Sequence, residues 1–126
     1  TVNISFVKLI NLMADPRLKT IKIKTGVVKR LAKEKVVYEK EAETQQQRIE
    51  KYKKEGKDEY DVRKQEEVLQ ESLMMVPDCQ RRLVKAYDEL KQILDTELDL
   101  KEKDEFKDAQ KILEDAKPQL PKPDNE

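Results

Sequence analysis

Large aliphatic residues return along this chain at three-, four- and seven-residue intervals, with charged side chains filling most of the positions between them. The clearest case is Val62, Leu69, Val76, Leu83 and Leu90, one residue in every seven. That beat puts all five on one side of an α-helix, whose turn is about 3.6 residues. Leu73, Cys79, Ala86, Tyr87, Ile93 and Leu94 widen the row into a stripe. A second stripe lies upstream, at Ile21, Val28, Leu31, Tyr38, Ala42, Ile49 and Tyr52, and a third downstream, at Phe106, Ala109, Ile112, Leu113 and Ala116. Helix breakers are scarce across this span: between Pro16 and Pro118 stand one proline, Pro77, and two glycines, Gly26 and Gly56. The pattern predicts an all-α protein, an elongated antiparallel three-helix bundle with coiled-coil-like packing.

The boundaries follow from capping chemistry. Asp15-Pro16 starts the first helix, because aspartate accepts hydrogen bonds from free first-turn amides and proline lacks only an N–H that would be unused there. The stripe carries this helix to about Lys54, with Lys35 and Gln45 interrupting it, so packing should weaken in its distal half. Gly26 costs roughly 1 kcal/mol relative to alanine; close approach of a neighbouring backbone is the preferred reason, and a hinge the alternative. Gly56 suits a left-handed C-cap and Asp58 the next N-cap. Pro77 falls within the second stripe, where it cannot donate to the Leu73 carbonyl, at a cost of about 3 kcal/mol. Two helices are conceivable there, but the step from Val76 to Leu83 keeps the beat, which favours one helix over 58–98, kinked at Pro77. Residues 99–104 are charge-dense and should hold the second turn. The three-helix bundle is thus expected over 13–116, followed by a flexible, proline-rich tail over 117–126.

Composition sharpens this picture. Charged residues make up 43% of the 126 and hydrophobic ones 37%, too polar for a thick globular core but sufficient for narrow helical stripes. Such polarity also suits disorder, which the regular aliphatic spacing opposes in the middle of the chain. Basic and acidic residues balance at 27 each, without the basic excess of a non-specific nucleic-acid binder. A single cysteine, Cys79, rules out an internal disulfide and fits a reducing compartment. No run is long and apolar enough to span a membrane. Residues 1–12 are unusually apolar yet lack a basic start, and Lys8 and Asn11 interrupt them. Met13-Ala14-Asp15-Pro16 reads like a natural beginning, making residues 1–12 an extension outside the core.

Catalytic chemistry has little to work with. The chain has no histidine, which removes imidazole triads, the usual imidazole metal sites and the Glu-x-x-His pattern of di-iron bundles. Cys79 lies on the apolar stripe and reads as a packed core thiol. No phosphate-cradling or calcium-binding loop occurs. Neither an enzyme nor a cofactor is indicated. The carboxylates read as solvated faces, with Glu50–Lys54 and Glu97–Lys101 spaced for i,i+4 pairs of a few tenths of a kcal/mol. Met74-Met75 reads as core filling beside Pro77, with an adaptable contact patch as the alternative. Arg81, Arg82 and Lys85 could meet an acidic partner or simply be solvated.

Several long strings, in order, resemble a known family. IKIKTGVVKRL (21–31), YEKEA (38–42), LQES (69–72) and MMVPDCQRRL (74–83) are similar to the tubulin-specific chaperone A, or tubulin folding cofactor A, family. MADPR (13–17) resembles that family's start, and the resemblance covers about 13–116. Residues 1–12 and the proline-rich tail depart from it. The resemblance implies a rod-like three-helix bundle, cytoplasmic and associated with the microtubule cytoskeleton. Such a protein captures β-tubulin after chaperonin release and passes it, with other tubulin-folding cofactors, toward heterodimer assembly. The acidic character of tubulin would suit Lys29, Arg30, Lys33, Arg81, Arg82 and Lys85 as contacts. A monomer is expected, with no nucleic-acid or membrane partner. Two other readings stay open: a generic coiled-coil scaffold closing its seam on a second copy, and an amphipathic membrane binder anchored by residues 1–12.

Overall fold

Asp15 caps the first helix by accepting a hydrogen bond at Oδ1 from the Arg17 amide at 3.0 Å, with Pro16 in the first turn. In the computed structural model, which describes residues 15–122, α1 (Pro16–Lys54) then runs 39 residues, about 58 Å at 1.5 Å per residue. It ends where predicted. Gly56 takes the left-handed conformation at φ 69°, its amide donating to the Lys53 carbonyl at 3.2 Å and that of Lys57 to Tyr52 at 3.0 Å. Those paired bonds satisfy carbonyls the helix end would leave free. Asp58 then caps α2 (Glu59–Thr96), accepting from the Tyr60 amide at 3.4 Å.

Helix α2 passes through Pro77 without a break, so the seven-residue beat, and not the proline, sets the extent of the element. After it comes a single 3₁₀ turn, Leu98–Leu100, and then α3 (Asp104–Ala116). Leu100, from a stretch that reads as charged turn, is buried and plugs the base of the bundle. Asp104 and Glu105 sit in the first turn of α3, where acidic charge complements the helix dipole.

The antiparallel bundle divides into two unequal halves. In the proximal half three helices meet around one core: Ile21, Val28 and Leu31 from α1, Leu83, Leu90 and Leu94 from α2, Phe106, Ala109, Leu113 and Ala116 from α3. Leu83 and Leu90 have 0% exposure. At 13 residues α3 is only about 20 Å long and stops well short of the α1–α2 turn. The distal half is therefore a two-helix hairpin. Its buried residues are Ala42, Gln45 and Ile49 of α1, while α2 buries nothing before Cys79. Weaker distal packing, expected from Lys35 and Gln45, has a simpler cause: no third helix is present to cover it.

The two interrupting polar residues have structural roles. Gln45 is 4% exposed, and its Nε2 donates to the Gln65 carbonyl at 2.9 Å and to Gln65 Oε1 at 2.7 Å. Arg48 Nη1 donates to Gln45 Oε1 at 3.2 Å, so both ends of this buried side-chain amide are satisfied. Lys35 Nζ donates to the Gln119 carbonyl at 3.0 Å and pairs with Glu39 at 3.2 Å. It thereby holds the chain beyond α3 against α1. Of the tail expected to be flexible over 117–126, the first residues form a 3₁₀ turn, Lys117–Gln119, and Leu120 packs on the core, while residues 123–126 lie outside the described residues.

Other expectations change. A Cβ added at Gly26 would meet nothing within 4 Å, so no neighbouring backbone approaches it. Leu73 is 45% exposed and Met74 70%, with Met75 also exposed, so this trio does not fill the core beside Pro77. Three consecutive residues spread over about 200° of helix and cannot share a narrow stripe. Neither i,i+4 pair forms: Glu97 instead accepts from Arg17 at 2.7 Å. Arg17 also binds Asp15 at 2.8 Å and Asp99 at 3.0 Å, tying the start of α1 to the α2–α3 turn. Residues 1–12 lie outside the described residues.

Because Leu83 is wholly enclosed by three helices, Leu83→Ala is expected to cost about 2–5 kcal/mol in urea unfolding. Gly26→Ala, in an exposed helix interior with open space, should stabilise by about 0.5–1 kcal/mol in the same assay. The Arg17 guanidinium, and then its amide, hold the Asp15 carboxyl below its ordinary value. That contribution is present above the unfolded value of about 3.9 and is lost as pH falls toward the lowered folded value. Asp15→Asn keeps a capping oxygen. It should shrink the stability difference between neutral pH and about pH 3, measured by chemical denaturation at each.

Candidate functional site

Among the described residues no group of three or more His, Cys, Asp or Glu could hold a metal ion. Cys79 is buried, and burial pushes its thiol up in pKa, with the carboxylates of Glu34 and Asp78 adding to the effect and Arg82 opposing it. A protonated thiol without access to solvent is a poor nucleophile. What the molecule offers is surface.

The six cations read from the sequence are all exposed. Lys24 pairs with Glu89 at 3.3 Å and Gln45 with Gln65, which fixes the antiparallel register. On that register Lys29, Arg30 and Lys33 of α1 lie level with Arg81 and Arg82 of α2, and Lys85 follows one turn on. The two groups share a level but not a pocket. Arg30 is drawn to Glu34 at 3.6 Å, while Arg81 and Arg82 both turn to Asp78, at 3.4 and 3.2 Å. Part of the positive field is thus neutralised within each helix, and solvent-exposed pairs of this kind contribute little to stability.

A second feature escaped the sequence. Three adjoining depressions run along one side of the α1–α2 hairpin. The largest, about 560 Å³, is lined by Tyr38, Glu41, Val68, Glu71, Ser72, Met74 and Met75. Toward the turn it meets a depression of about 390 Å³ bounded by Val37, Thr44 and Arg48, and toward the core one of about 350 Å³ bounded by Arg30, Lys33 and Glu34. Glu41 borders all three. Tyr38, assigned from periodicity to the seam, is only half-buried and forms part of this wall. The signal that could have revealed the groove is the run Leu73-Met74-Met75, more apolar surface than one narrow stripe can bury.

The sequence profile described as "Tubulin binding cofactor A" matches residues 16–113, from the start of α1 to the penultimate turn of α3. The chain belongs to the tubulin binding cofactor A family. A relative from Gallus gallus, "Tubulin-specific chaperone A", is 62% identical over 105 residues, covering 83% of this chain and 97% of the relative. Two solved members of the family share the fold. "Human tubulin chaperone cofactor a" superposes with a TM-score of 0.71 at 56% identity, over 81% of this chain and 99% of that one. Tubulin folding cofactor A from Arabidopsis thaliana gives 0.74 at 40% identity, over 82% and 97%. The relatives of this family carry the name tubulin-specific chaperone or tubulin folding cofactor, and the chain shares their all-helical fold. No helix among the described residues is long and apolar enough to cross a membrane.

Proposed function

We propose that this chain is a stoichiometric β-tubulin chaperone: it captures β-tubulin after chaperonin release and passes it, with other folding cofactors, toward αβ-heterodimer assembly. It works as a cytoplasmic monomer, without nucleotide or cofactor. Membership in the tubulin binding cofactor A family is the observation that carries the reading. The self-contained core supports it. Leu83 and Leu90 are fully enclosed by helices of their own chain, leaving no open seam there for the second copy that a generic coiled-coil scaffold would need. A long rod whose polar sides are free can lie along a client many times its width.

On this reading the cations at the junction of the two halves, Lys29, Arg30, Lys33, Arg81, Arg82 and Lys85, meet acidic surface of the client. Complementary charge chiefly accelerates encounter and suppresses wrong partners. Their exposure is what such steering requires.

Co-elution of the purified chain with β-tubulin in size-exclusion chromatography tests the reading, and failure to co-elute where β-tubulin stays soluble counts against it. Reversing Arg81 and Arg82 to glutamate should weaken capture by about tenfold, in the range of paired charges lost from an interface, with helix content by circular dichroism unchanged. Undiminished capture would remove these two arginines from the interface.

A further inference from the structure

The groove along the distal half asks for an occupant. Val37, Val68, Met74 and Met75 are exposed large apolar residues lining the adjoining depressions. Clusters of exposed apolar residues mark binding sites more often than single ones do. Leu98, exposed alone at the far turn, borders none of these depressions.

Charge along the groove is patterned. In its middle stand Glu41 and Glu71, the only charged residues lining the largest depression. Neither carboxylate forms an ion pair or a side-chain hydrogen bond among the described residues, although most carboxylates on nearby turns do. Cations flank them at both ends: Arg30 and Lys33 toward the core, Lys40 and Arg48 toward the turn. The distance along α1 from Val37 to Arg48 is about 17 Å, some three helical turns. The matching ligand is a helix of about eleven residues with apolar anchors on one side, a lysine or arginine at its middle and acidic residues toward its ends. The two adjacent methionines that line it favour such a ligand, since flexible thioethers adapt to the side chains laid against them.

We infer that the distal two-helix hairpin is a docking groove for an amphipathic helix of the client, gripped by Val68, Met74 and Met75 and aligned by Glu41 and Glu71. The inference rests on the proposed β-tubulin reading and locates the grip within it. The groove is built by α1 and α2 alone, with no lining residue from α3, so its floor persists while α3 secures the core at the other end of the rod. The cations Arg30 and Lys33 belong to the same surface, at its core-side end.

The test uses the full chain and purified β-tubulin. Met74→Ser with Met75→Ser, and separately Glu41→Lys with Glu71→Lys, should each weaken capture by about tenfold or more while leaving helix content and unfolding midpoint near wild type. Leu98→Ser, remote from the groove, should leave capture unchanged. With ε-methyl-labelled methionine, the Met74 and Met75 resonances should shift and broaden on adding β-tubulin. Capture by wild type with no loss in either double variant and unmoved methyl signals would overturn the groove while leaving the chaperone reading intact. Failure of wild type itself to capture would instead sink the chaperone reading. Concentration-dependent dimerisation in sedimentation equilibrium, abolished by the methionine variant, would make a second copy the occupant and also overturn the inference.

Discussion

Antiparallel closure of α1 against α2 along one narrow apolar seam is the contact on which everything else in this molecule rests. With charged residues at 43% of the chain there is no material for a broad core, so each helix hides a strip and leaves the rest in water. A strip of that width stabilises a pair of long helices only if its apolar residues meet in register. Lys24 with Glu89 and Gln45 with Gln65 mark that register at two levels, and Arg17 fastens it at the base with three carboxylates. The third helix then adds what two strips cannot: Phe106, Ala109 and Leu113 close the remaining side of the proximal seam and bring Leu83 and Leu90 out of water entirely.

The architecture was legible wherever local chemistry decides it. Asp15-Pro16, Gly56 and Asp58 are capping residues whose effect acts over a single turn, and the helix ends fall beside them. The seven-residue beat also resolved Pro77, because a periodic pattern that stays in phase across a proline leaves no room for a loop. Burial was less legible, since periodicity assigns a face but cannot say whether anything covers it. Tyr38, Leu69 and Leu73 have the spacing of core residues, yet α3 ends before reaching them. Leu100 and Leu120 carried no periodic signal, and only the tertiary fold places them against the core. Gly26 remains unexplained by packing.

The candidate site shows the same limit. Exposed cations could be read from composition, but their partial neutralisation by Glu34 and Asp78 depends on rotamers that the sequence does not specify. The groove was hidden for a different reason. Its walls come from Val37 and Tyr38 on one helix and Val68, Met74 and Met75 on the other, brought side by side by a hairpin whose offset no single helix reveals. The proximal half thus holds most of the enclosed core, while the distal half leaves Val37, Val68, Met74 and Met75 exposed.

The enclosed Gln45 amide has a consequence for fidelity during assembly. Sliding one arm of the hairpin past the other by a heptad would set Ser72 or Asp58 opposite Gln45 in place of Gln65, replacing the Gln65 Oε1 acceptor at 2.7 Å with a shorter side chain that reaches less far across the seam. Losing one such bond in an enclosed place costs about 0.5–1.5 kcal/mol. A shifted hairpin is disfavoured by that amount, so one enclosed side-chain amide helps choose among the registers that a heptad repeat alone would leave nearly equal.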